Sequence, residues 1–306
     1  MQTTIAQKCI FKGVGLHSGK PATLAVHPAP VDHGIVFRRV DVKLGDNILP
    51  ALWHGAEHSQ LCTKLVNGSG ASVSTIEHVM AALAGCGIHN AMIDVDGPEV
   101  PILDGSAIEF VRTFLSSGLR QQTVPVQVLK ILKPVRVERG DAWAEFRPSD
   151  TPMMTFHIDF SDAAIGVQKK SLNLSNGSFV RELCASRTFC RFSEVDYMRK
   201  NGLALGGTFE NAVVVDGDQI LSPGGLRHSD EAVRHKMLDA LGDIYLAGAP
   251  ILGHYHGYKA GHTLTNVLLR ALFADETAFS YVTSDATLAA RLPGAGVHFD
   301  EIVSVA

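Results

Sequence analysis

The chain has 306 residues, and 27 Lys+Arg against 31 Asp+Glu leave a formal net charge of -4. With 46% hydrophobic and 19% charged residues it has a globular composition, which excludes a disordered chain, a collagen-like fibre and a coiled coil. The weakly acidic balance gives no bulk attraction to nucleic acid or to an anionic membrane, so neither is an expected partner.

The opening MQTTIAQKCIFKG lacks the apolar core of a secretory signal, and no apolar run approaches the ~18 residues that span a bilayer. A cytoplasmic protein without stable membrane insertion is expected. ATLAV (22–26) and GIVFRRV (34–40) read as strands, and LCTKLV (61–66) runs into the turn Asn67-Gly68-Ser69-Gly70. Ser74 and Glu77 have capping-box spacing before the apolar run VMAALAG, and Gly85 and Gly87 end that helix. NAMIDV (90–95) reads as a buried strand, and Ser106 and Glu109 repeat the capping-box spacing before a second helix closed by Gly118. LRQQT (119–123) is the one polar stretch resembling a linker, so domains of 1–122 and 123–306 are expected. Four short strands follow (VQVLKIL, VRVERG, WAEFRP, MMTFHIDF), then a hairpin turn at Asn176-Gly177, a short helix over 193–202 and a hairpin at Asp216-Gly217. A long helix from about 229 to 247, the strand ILGHYHGY and the helix HTLTNVLLRALFA complete the order. Strands followed by helices, twice over, argue for an α+β fold in two halves, each a β-sheet packed with helices. Cys9, Cys62, Cys86, Cys184 and Cys190 are scattered without a CxxC, which argues for reduced thiols and against a cysteine zinc site.

The sharpest chemical pattern lies in the long helix, where His235, Asp239 and Asp243 stack four residues apart. His-x-x-x-Asp suits two ligands of one metal ion; an exposed polar face presents the same pattern, because such pairs also support a helix. Glu77-His78 reads either as a cap with a bystander or as a proton acceptor beside a metal ligand. Gly261-His262 opens the last long helix. Fourteen histidines occur, and by default the remaining ones, His17 among them, read as bystanders.

Several long segments carry a resemblance. TIEHVMAALAGCGIHNAMIDVDGPEVPILDGSA (75–107), VRHKMLDALGD (233–243), GVGLHSGKPATLAVHPAP, ASRTF (185–189), GLALGGTFENAVVVD (202–216) and YKAGH (258–262) are similar to signature segments of the UDP-3-O-(3-hydroxyacyl)-N-acetylglucosamine deacetylases, zinc enzymes of the committed step of lipid A biosynthesis in Gram-negative bacteria. The resemblance runs almost end to end, and it implies a two-domain sandwich with the active site between the domains. It implies zinc on His78, His235 and Asp239, Glu77 as general base, His262 as general acid oriented by Asp243, and Thr188 near the oxyanion. It also implies sugar-nucleotide contacts at Lys236, Phe189 and Phe160, and a helical hairpin insert around 193–216 whose Val195, Ala204, Phe209 and Val214 line an acyl-chain passage. The implied partner is a UDP-linked acylated glucosamine, and the implied state is a monomer. The chain departs from the family pattern at Ala142, where a lysine is usual, in SDAA after Phe160, in CRF after Phe189, and at Thr265.

Two imidazoles and a carboxylate leave a metal an open position, which suits hydrolysis of an acetamide to acetate and a free amine. Fe2+ could occupy the same set, which a non-haem iron oxygenase would also use. A lipid-binding protein with a structural zinc is the third reading, disfavoured because no cysteine lies in the ligand motifs.

Overall fold

In the computed structural model, which describes residues 1–302, the chain builds one pattern twice. Each half lays down two antiparallel strand pairs and then threads a fifth strand between them. The first half uses Cys9–Val14, Pro21–Pro28, Ile35–Arg39 and Ile48–Pro50, with Ala91–Val95 inserted. The second uses Val135–Arg139, Ala142–Arg147, Met153–Asp159 and Val167–Asn173, with His254–Tyr258 inserted at the matching place. In both sheets the inserted strand is antiparallel to one neighbour and parallel to the other. No sheet among the described residues joins a strand before residue 122 to one after residue 123.

A parallel neighbour requires a crossover, and helices supply it. In the first half α1 (Glu77–Gly85) precedes the inserted strand and α2 (Ile108–Ser117) follows it. After α3 (Phe192–Lys200), the second half repeats this with α4 (Glu231–Ile244) and α5 (His262–Phe273); a short α6 (Ala286–Ala289) comes near the end. Strand residues alternate, so Leu24, Val26, Phe37 and Ile93 in one sheet and Ala144, Phe146, Phe156 and Tyr255 in the other face inward and are buried. The helices fill the space between the sheets, α2 on the first sheet, α4 and α5 on the second, and α1 directly against α4. One core runs through both halves. Gly242 makes the α1–α4 approach possible, because a Cβ there would collide with the Glu77 carbonyl oxygen.

Several local expectations are corrected. α1 starts at Glu77, not Ser74: Ser74 ends a strand and bonds the Pro98 carbonyl, and Thr75 takes φ 57° to turn the chain, so no capping box forms. At α2 the Ser106 hydroxyl accepts the Ile108 amide at 3.2 Å, but Glu109 bonds Arg112 instead of closing a box. The supposed linker is partly a strand, Leu119–Gln121, paired antiparallel with Thr3–Ile5. Asn176-Gly177 leads into a π-helical turn, Phe179–Leu183, rather than a hairpin. ILGHYHGY breaks at Gly253 into two strands in different sheets. The insert is not a helical hairpin: strands Phe189–Arg191 and Val213–Asp216 pair in parallel with α3 between them, a βαβ unit.

Candidate metal centre and substrate cavity

The crossing of α1 over α4 decides where the site lies. Glu77 and His78 occupy the first turn of α1, and the i, i+4 stripe of α4 presents His235, Asp239 and Asp243 to them. All five are buried, at 3–5% exposure, so the stripe is not a solvated face. The Asp239 Oδ1 atom lies 3.3 Å from His235 Nε2 and 3.6 Å from His78 Nε2, and one ligand atom from each residue falls within 4.8 Å of the others. Ligands held ~2.0–2.1 Å from a tetrahedral zinc stand roughly 3.4 Å apart, so these spacings fit an ion at their centre. The chemistry of the donors fits as well. The other Asp239 oxygen accepts from Lys236 Nζ at 2.9 Å, whereas Oδ1 is buried without a partner. His235 Nδ1 donates to the Ser186 carbonyl at 3.0 Å, which leaves the Nε2 lone pair facing the cluster. Burial pushes His235 down to about 4, so it is neutral and able to ligate near pH 7.

His262, first residue of α5, approaches from the other side. Its Nδ1 donates to Asp243 at 2.9 Å, and its Nε2 is 3.9 Å from both Glu77 Oε1 and Asp239 Oδ2. Burial disfavours its charge, but Asp243, Glu77 and Asp239 outweigh burial and raise the imidazole to about 9. Burial raises Glu77 from its ordinary value, opposed by His262 and His78. Glu77 is fixed by the Thr63 amide on Oε2 at 3.0 Å, and the Thr63 hydroxyl donates to Asp243 at 2.5 Å. One residue thus steadies both carboxylates.

The centre opens into a cavity of about 550 Å³. Every site residue expected from sequence lines it except Asp243, which stands behind His262. Phe160 and Phe189 meet edge to face at 5.5 Å on one side, beside Thr188 and Lys236. Val195, Ala204, Phe209 and Val214 form an apolar side together with Leu16, Leu61 and Met198. Four non-glycine residues with φ above 0, Leu61, Thr75, Ala204 and Lys259, line this cavity, and backbone strain commonly clusters at functional sites.

Sequence reasoning missed Thr63, the Ser186 carbonyl and His17. Thr63 carries no local signal, since its partners are remote in the chain. His17 read as a bystander yet lines the cavity, and its place in the motif GVGLHSGKP was the available clue. The departures also find places. Ala142 lies on the cavity wall opposite its cross-strand partner Arg139. Asp162, from SDAA, pairs with Arg191, from CRF, at 2.6 Å. Thr265 bonds Tyr255 Oη at 3.0 Å and the Gly261 carbonyl at 3.3 Å, which steadies the start of α5 beneath His262.

Two sheets enclosing crossed helices, with two buried histidines and a carboxylate that could hold a metal ion and with Glu77 and His262 beside them in one cavity, are the arrangement expected of a metal-dependent hydrolase. The comparisons make the family specific. The family described as UDP-3-O-acyl N-acetylglycosamine deacetylase matches residues 2–274. Relatives named UDP-3-O-acyl-N-acetylglucosamine deacetylase include those of Shewanella frigidimarina, 46% identical over 97% of this chain and 99% of the relative, and Idiomarina loihiensis, 47% identical over 93% of each. That of Shewanella oneidensis is 46% identical over 97% of this chain and 99% of its own length. The chain belongs to the UDP-3-O-acyl N-acetylglycosamine deacetylase family.

Proposed function

We propose that this chain removes the acetyl group of UDP-3-O-(3-hydroxyacyl)-N-acetylglucosamine, releasing acetate and a free amine in the committed step of lipid A biosynthesis. The observation that carries the reading is the convergence, in one cavity of a chain of this family, of His78, His235 and Asp239 with Glu77 and His262.

The metal would be held by His78, His235 and Asp239. Zinc is the ion we assign, and when bound it supplies Lewis acidity toward a carbonyl and acidifies a water. Glu77 accepts the proton of the attacking water; its raised affinity for protons brings it closer to working pH. The Thr188 hydroxyl, on the cavity wall, donates toward the oxyanion. An amine is a poor leaving group, and His262, kept protonated by Asp243, returns a proton to it. Lys236, Phe189 and Phe160 take the sugar-nucleotide, and the apolar side at Val195, Ala204, Phe209 and Val214 takes the acyl chain. We further propose that the chain divides at 122/123, in keeping with sheets that do not cross that boundary, and that it acts as a cytoplasmic monomer in a Gram-negative bacterium. The Glu77–His262 pair beside the centre, 3.9 Å apart, favours hydrolysis over an iron oxygenase, which needs no such pair.

Purified protein incubated with the nucleotide substrate should release acetate and expose one amine per turnover, and chelation should stop it until metal is restored. No acetate from metal-replete protein would overturn the proposal.

A further inference from the structure

Among the buried carboxylates without a part in this scheme, Glu99 joins two loops that border the cavity. Glu99 is 3% exposed and belongs to the GPEVPILDGSA segment. Its Oε1 accepts the His17 amide and the Thr75 hydroxyl, each at 2.8 Å, and its Oε2 accepts the Ser18 amide at 2.8 Å. Burial favours the neutral acid, yet these donors hold the carboxyl below its ordinary value, so it is a fixed anion. The loop it gathers sits close: a Cβ on Gly15 would collide with the Glu99 carboxylate.

Two features lie at the ends of this contact. At one end is Thr75, a β-branched residue at φ 57°, two residues before Glu77. A β-branched side chain in that region is strained and persists only where its surroundings hold it. At the other end is the bend of the βαβ insert. The Leu205 amide donates to the His17 carbonyl at 3.2 Å and the Gly206 amide to the Leu16 carbonyl at 3.0 Å. The Ala204 amide reaches His17 Nδ1 at 3.4 Å. A Cβ on Gly206 would collide with the Gly15 carbonyl, so the two loops touch through glycine.

We propose that Glu99 is a positioning residue: through Thr75 it holds the start of the catalytic helix, through His17 and Ser18 it holds the 204–207 bend, and so it keeps the acyl passage in register with Glu77 and His78. This rests on the deacetylase reading for its substrate, but the geometry is testable without it. The remote end of the tie is the insert, and a purely local structural carboxylate would not govern it.

The test compares Glu99→Gln and Thr75→Val with Thr75→Ser, which restores the hydroxyl. Amide hydrogen exchange comes first. In Glu99→Gln, exchange at Leu205 and Gly206 should rise about tenfold or more, a change equivalent to one lost charge-assisted hydrogen bond, while the middle of α4 stays protected. Unchanged exchange at Leu205 and Gly206 would overturn the proposal whatever the enzyme does. Acetate release is then measured on nucleotide substrates with a long and a short 3-O-acyl chain, at equal metal content. Glu99→Gln and Thr75→Val should raise the long-chain KM about tenfold relative to the short-chain KM, and Thr75→Ser should lose less of this discrimination than Thr75→Val. Equal loss on both substrates, or loss in Thr75→Ser as large as in Thr75→Val, would refute it. Wild-type protein that releases no acetate would end the deacetylase reading and leave the exchange result to decide the tie.

Discussion

Replacing Asp243 by asparagine isolates the electrostatic part of the acid–base pair. The side chain is 3% exposed, receives His262 Nδ1 at 2.9 Å and the Thr63 hydroxyl at 2.5 Å, and is absent from the cavity wall. Asparagine keeps its volume and can still accept from the imidazole, so packing and orientation are largely preserved. What is lost is the charge. A hydrogen bond to a charged group contributes ~1.5–3 kcal/mol, against about 1 for a neutral pair, and one pKa unit is ~1.4 kcal/mol. His262, raised to about 9 with Asp243 as the leading attraction, should therefore fall by roughly 1 unit or more. The sign follows from the role: an acid works only while protonated, so the basic limb of the kcat/KM profile should move toward lower pH. Metal content should not change, because Asp243 is outside the ligand cluster. A profile of kcat/KM from about pH 5 to 10 on metal-replete variant and wild type measures this. An unmoved basic limb in fully loaded Asp243→Asn would refute the assignment of that limb to His262.

Glu77→Gln keeps the shape and the Thr63 contact but removes proton acceptance, so turnover should fall by ~10²-fold or more with metal retained, measured by single-turnover acetate release and elemental analysis. Val195→Trp, on the apolar side of the cavity, should penalise a long acyl chain more than a short one, because each buried CH₂ contributes ~0.8 kcal/mol; equal penalties would make α3 part of the packing alone. Gly242→Ala places a methyl against the Glu77 carbonyl and should cost ~1–3 kcal/mol by chemical denaturation, with lower metal affinity as α1 and α4 part.

Local pattern made much of this legible. The His235–Asp239–Asp243 stripe needed only the helical period, and the capping signal near Glu77 located a helix end, though not its mechanism. The helix starts late because Thr75 takes a left-handed turn under the hold of Glu99, a residue 24 positions away. Periodicity within one segment cannot register such a partner. The same holds for Thr63, whose value lies in reaching Glu77 and Asp243 together. The doubled order of strands and helices was legible, but the threading of each sheet's fifth strand between two pairs was not, because strand neighbours are set by partners remote in the chain. Burial of the α4 stripe, the choice its sequence left open, was decided by α1 lying across it at Gly242.

On the proposed reading, the crossing of α1 and α4 builds one metal site that is also the catalytic centre. This reading is tested most directly by measuring bound metal and acetate release on the same preparations of wild type, His235→Ala and Asp239→Ala. About one metal per wild-type chain is expected, with joint loss of metal and turnover in both variants and the fold retained by circular dichroism. Stoichiometric metal in both variants, or undiminished acetate release from metal-free protein, would contradict it.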